Sequence, residues 1–178
     1  LSKSQVISLG YPDGGTAQMW LDFWSPNNLF TSPYTKKKHN PYSDTWHPGA
    51  PYCGQALTED LKQIFRQYQP TVVYCPHPND NHPDHWALYA YTLAALFESG
   101  LLDKVNLRVY LVHRGDWPLP QGLHANRVLS PPAALVGLGT KWEALSLGAG
   151  TRDQKLTAVR QYRSQIQVMR RFLYSFVR

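Results

Sequence analysis

The chain has 178 residues, of which 43% are hydrophobic and 17% charged, enough apolar material for one packed domain and too little charge for a disordered polymer. The formal net charge is +6, yet the basic residues are scattered, with runs only at Lys36–Lys38 and Arg170–Arg171. No nucleic-acid recognition motif accompanies them, so nucleic acid is not an expected partner, whereas attraction to an anionic membrane surface or acidic substrate stays open.

Gln5–Leu9 (QVISL) is a short apolar run closed by Gly10, Pro12, Gly14 and Gly15, the pattern of a buried strand ending in a turn. Residues 16–54 are rich in Trp, Tyr, Pro, Asn and Ser without periodicity and read as a long aromatic-rich loop. Leu57, Leu61, Ile64, Phe65 and Tyr68 fall on one face of a helix that Pro70 ends. Thr71–Cys75 (TVVYC) is a β-branched and aromatic strand, and Trp86–Phe97 an apolar helix closed by Gly100. Leu107–Val112 is a further strand, followed by a Pro-rich connection over 117–132. Thr151–Gln154 has the form of a capping box opening one long helix.

Alternating strands and helices imply crossovers and a mostly parallel α/β sheet, read here as one domain over 1–178. Ligands bind beyond the carboxyl ends of such strands. Gly10–Gly15, Pro76–His85 and His113–Trp117 each follow a predicted strand and should therefore converge. Cys53 and Cys75 form no C-x-x-C pair and read as two free, partly buried thiols. No run reaches the roughly 18 apolar residues of a bilayer span. The sequence opens on Leu1 rather than Met, so an upstream segment, including a signal or anchor, is compatible with it.

The strongest chemical signal is Pro78-Asn-Asp-Asn-His-Pro-Asp-His85. His82, Asp84 and His85 lie within four positions after a strand and at the start of a helix. Imidazole is a good zinc ligand, carboxylates orient such imidazoles, and helix-terminal amides favour a developing oxyanion. The plain structural alternative is a polar loop with Asp80 or Asp84 as helix N-cap. His113 ends a strand at the same expected edge, and Asp13 sits in a Pro-Asp-Gly-Gly turn. His39, His47 and His124 read as surface residues.

His82-Pro-Asp-His85 resembles the C-terminal signature of the PIG-L/LmbE-like zinc-dependent N-deacetylases. Leu9-Gly-Tyr-Pro-Asp-Gly-Gly15 is similar to that family's LG(F/Y)xDG stretch, and Tyr110–Pro118 is a third match. Lys155, Ala158, Tyr162, Ser164 and Gln165 match its K-x-x-A-x-x-x-Y-x-S-Q helix. The resemblance implies a Rossmann-like layer sandwich whose first βα unit, carrying Ala-His-Pro-Asp-Asp, would precede Leu1. It also implies zinc, or another divalent metal, held by His85 and by two ligands from that upstream motif. His82, held by Asp84, would stabilise the oxyanion or protonate the leaving amine. Asp13, Asp80 and His113 would face the substrate, an N-acetylated amino sugar or glycoconjugate. Other readings are a metal-dependent phosphoester hydrolase, or a non-catalytic module whose aromatic loop binds carbohydrate or anionic lipid.

Overall fold

In a computed structural model of the chain, which describes Ser2 and residues 5–178, two of the three expected strands form and pair in parallel. Strand β1 (Val72–Pro76) aligns with β2 (Asn106–Tyr110), from Val72 opposite Asn106 to Pro76 opposite Tyr110. Parallel neighbours need a crossover, and α3 (Pro83–Glu98) supplies it. Pro83 suits the first helical position because it has no N–H to leave unpaired, and Asp84 complements the positive end of the helix dipole. Ala87, Tyr91, Ala95 and Leu96 of α3 are fully buried, with Val73 and Leu107 of the strands packed against the same core. Burying a side chain such as Leu96 contributes about 1.5–3 kcal/mol relative to exposure. Val72, Tyr74 and Tyr110 are exposed. The protein is thus of mixed α/β class, with one parallel pair among the described residues.

Helix α2 (Gly54–Tyr68) buries Leu57, Leu61 and Phe65 of the expected face, with Ile64 half-buried and Tyr68 exposed at its end, and stops where Gln69 turns left-handed before Pro70. The run Gln5–Leu9 does not form the expected strand. Val6 is exposed, and the backbone carbonyls of Ser8 and Leu9 are taken by Trp46 N–H and the Asn40 amide, so loop contacts replace a ladder. The aromatic-rich stretch begins with a short helix, α1 (Thr16–Leu21), that buries Ala17 and Met19, and is otherwise irregular. Buried Asn40 organises it, also donating to Thr45 Oγ1 and the His47 carbonyl and accepting from Tyr42 N–H. Trp20 meets Tyr91 edge-on at 4.9 Å and Trp24 stacks on Tyr91 at 6.3 Å, so these rings pack the stretch onto α3.

The chain divides into two compact units, the first ending at His113 and the second spanning Arg114–Arg178. In the second, the expected single helix is two: α4 (Ala149–Gln161) and α5 (Arg163–Tyr174), broken at Tyr162. The Thr151 capping box is not used. Gly148 is the N-cap and its carbonyl takes the Arg152 N–H, which starts the helix ahead of Thr151. Within α5, Met169 leaves helical geometry (φ −137°, ψ 33°). No helix among the described residues is long and apolar enough to cross a membrane.

Candidate active site

The loop after β1 is fastened to the end of β2 by one carboxylate. Asp80 Oδ1 accepts the His82 N–H at 2.9 Å, and Oδ2 accepts the Val112 and His113 N–H groups, each at 2.9 Å. The His113 carbonyl takes the Asn81 N–H at 2.7 Å, closing the loop against the strand end. Burial alone would raise the Asp80 pKa, but these three N–H donors and the adjacent His85 outweigh it and hold the group below the usual carboxylate range. His85 Nδ1 lies 3.1 Å from Asp80 Oδ2, at an angle too poor for a full hydrogen bond.

His82 caps α3: its Nδ1 accepts the Asp84 N–H at 3.2 Å. A backbone N–H can only donate, so the neutral His82 ring carries its proton on Nε2. The rings of His82, His85 and His113 form a triangle, with centroids 4.8 Å (His82–His85), 5.3 Å (His82–His113) and 5.0 Å (His85–His113) apart. Burial depresses the His113 pKa, and the two neighbouring imidazoles push the same way against the Asp80 charge.

Asp84 reaches away from the imidazoles. Its carboxylate accepts Gly14 N–H at 2.7 Å, Thr16 N–H at 3.0 Å and Thr16 O–H at 2.5 Å, tying the glycine turn to the start of α3. Of the three segments expected to converge, 10–15 meets 76–85 through Asp84, and 113–117 contributes His113. A cleft of about 330 Å³ is lined by Leu9, Tyr11, Pro12, Asp13, Asp84 and His85, among others. Asp13, His82 and Asp84 each offer one ligand atom within 4.8 Å of the others, a group able to hold a metal ion. His85 is not of that group.

Two expected roles need correction. The Asp84 carboxylate does not hold the His82 ring, because Gly14 and Thr16 engage both of its oxygens. Asp80 does not face a substrate, because its carboxylate is enclosed and committed to three backbone donors. Neither Asp80 nor Asp84 caps α3; His82 does.

Several partners escaped the sequence reading. Thr16 signals itself only as a hydroxyl residue directly after Gly-Gly at a helix start. His47, read as surface, bonds through Nδ1 to the buried Asp60 at 2.9 Å, whose other oxygen accepts Tyr11 O–H at 2.7 Å. Burial, reinforced by Asp60, drives the Tyr11 pKa upward. His77, the start of a His-Pro-Asn-Asp run, is buried and accepts the Asn79 N–H through Nδ1.

Three imidazoles clustered just beyond a parallel strand pair supply groups that acid–base or metal-assisted hydrolysis can use. The chain matches the PIG-L family model, described as GlcNAc-PI de-N-acetylase, over residues 1–96, and it belongs to that family. Family membership assigns it deacetylase-type hydrolysis in general terms. No curated protein and no solved structure matches the chain.

Proposed function

We propose that this protein hydrolyses the N-acetyl group of an amino sugar or its glycoconjugate with the help of a divalent metal, zinc by preference. The observation that carries the assignment of roles is the opposed setting of two neighbouring imidazoles, one with Nδ1 beside a carboxylate and the other with Nδ1 on a backbone N–H. His85 turns Nδ1 toward the ionised Asp80, which favours a proton on that nitrogen and leaves the Nε2 lone pair for a metal. His82 spends the Nδ1 lone pair on Asp84 N–H and presents Nε2–H as a donor. Asp84 has both oxygens occupied, which argues against Asp13, His82 and Asp84 as the principal ligand set.

When bound, the metal supplies Lewis-acid polarisation of the acetyl carbonyl and lowers the pKa of water. His82 Nε2–H donates to the developing oxyanion or, when protonated, to the leaving amine. Asp80 sets the His85 ring and the strand end. Asp84 holds the turn that carries Asp13, whose carboxylate is left to bind sugar hydroxyls, and His113 completes the polar wall. One imidazole falls short of the three protein ligands usual for catalytic zinc. An upstream βα unit bearing His-Pro-Asp-Asp completes the set and the layer sandwich in this proposal, and residues 1–178 belong with it to a single deacetylase domain.

The test is amine release from an N-acetylglucosamine conjugate by protein expressed from its complete reading frame. Turnover that a chelator abolishes and zinc restores supports the reading. Absence of turnover from a fully zinc-loaded, folded protein on a panel of N-acetylated sugars rejects it.

A further inference from the structure

Charge is unevenly divided between the two units. Residues 1–113 carry eight Lys or Arg against nine Asp or Glu, whereas Arg114–Arg178 carries ten against three. The excess concentrates on α4 and α5, which bear Arg152, Lys155, Arg160, Arg163, Arg170 and Arg171 against Asp153 alone. Neither helix has a fully buried residue. Where Met169 departs from helical geometry, a groove of about 670 Å³ opens, lined by Ile166, Val168, Met169, Arg170, Arg171 and Phe172 among others. Val168 is 77% exposed, and Leu119, Leu123, Val128, Val136, Leu138 and Leu145 of the same unit are exposed too.

We propose that α5 and its groove dock on an anionic phospholipid surface. Basic residues alone attract any polyanion, so the apolar component decides between occupants. Single-stranded nucleic acid is gripped by arginines together with aromatic platforms on which bases stack. Tyr162 is the sole exposed large aromatic among the described residues of this unit, whereas its other exposed large hydrophobics are Leu and Val. On α5 the exposed Val168 stands two residues before Arg170 and Arg171, and an aliphatic side chain beside arginines suits the boundary between headgroups and acyl chains. Arg170 and Arg171 then meet lipid phosphates, while Val168 and the apolar residues of the groove take up the first methylenes. The family match ends at residue 96, so this surface lies outside it. The inference stands independently of the deacetylase proposal.

The experiment is co-sedimentation of the protein with vesicles of pure phosphatidylcholine and with vesicles in which about 30% is replaced by phosphatidylserine. Binding is expected to the anionic vesicles and to weaken with salt. Each basic residue near such a surface is worth roughly fivefold in partitioning, so Arg170→Gln/Arg171→Gln should weaken it about 25-fold. Val168→Ser should weaken it further without altering its salt dependence. Circular dichroism and thermal melting of both variants, matching the parent, show that folding is intact. Equal binding to neutral and anionic vesicles, no binding to either, or arginine-dependent binding to duplex DNA but not to vesicles overturns the proposal.

Discussion

Replacing Asp80 tests whether one enclosed carboxylate builds the site. In Asp80→Ala, the N–H groups of His82, Val112 and His113 lose an acceptor that each now reaches at 2.9 Å. A buried donor left without a partner costs about 1–3 kcal/mol, so three set a ceiling near 9 kcal/mol. Two effects reduce this: water can enter the vacated space, and the desolvation cost of the carboxylate disappears. A net loss of about 3 kcal/mol is expected. Asp80→Asn keeps one carbonyl oxygen but turns an amide against a donor, and should lose about half as much. Urea unfolding at constant m-value measures both, and the amide resonances of His82 and His113 report the local bonds. A loss below about 1 kcal/mol in Asp80→Ala, with those two resonances unmoved, would refute the reasoning.

Gly10 has φ +75°, and a Cβ there would come within 2.5–2.7 Å of the Asn40 amide group that organises the aromatic stretch. Gly10→Ala should therefore cost about 1–3 kcal/mol by thermal or urea unfolding, and a neutral or stabilising effect would contradict the packing. Burial pushes the Cys75 thiol up to about 11, so native Cys75 should resist iodoacetamide at pH 8 and react once urea unfolds the chain. The sign for stability follows. Below pH 9 the thiol is neutral in both states; between about pH 9 and 11 the unfolded chain ionises first, so this group's contribution is lost as pH rises. Cys75→Ser or Cys75→Ala should flatten that alkaline slope, and an unchanged slope would count against it. Thr16→Val removes the hydroxyl donor to Asp84 and should cost about 1.5–3 kcal/mol, with the Gly14 amide resonance shifting as the turn loosens.

Much of the first unit was legible because its signals are local and mutually consistent. The helical spacing of Leu57, Leu61 and Phe65, the β-branched run before Cys75 and the apolar run Trp86–Phe97 all agree with the structure, although α3 starts three residues earlier, at Pro83. Gln5–Leu9 has the composition of a strand but pairs with no strand among the described residues, and strand formation depends on such a neighbour rather than on the run itself. The long helix failed at Tyr162 because nothing in the local apolar spacing marks a break there. At the site, the His82/His85 cluster could be read from four consecutive residues. The duties of the carboxylates could not. Asp80 and Asp84 look interchangeable in sequence, yet one is enclosed against the β2 end and the other faces the glycine turn about 70 positions earlier. Such long-range pairings, like Tyr11–Asp60–His47, are set by tertiary packing and leave no periodic trace.

The most direct measurement is bound zinc and amine release on the same His82→Ala and His85→Ala proteins, expressed from the complete reading frame. His85→Ala should lose the metal, because it removes a ligand. His82→Ala should keep the metal and lose about 100- to 10,000-fold in kcat, the range for a general acid or a single oxyanion donor. Loss of metal from His82→Ala with retention in His85→Ala would reverse the two roles, and full activity in both would contradict the account at its centre.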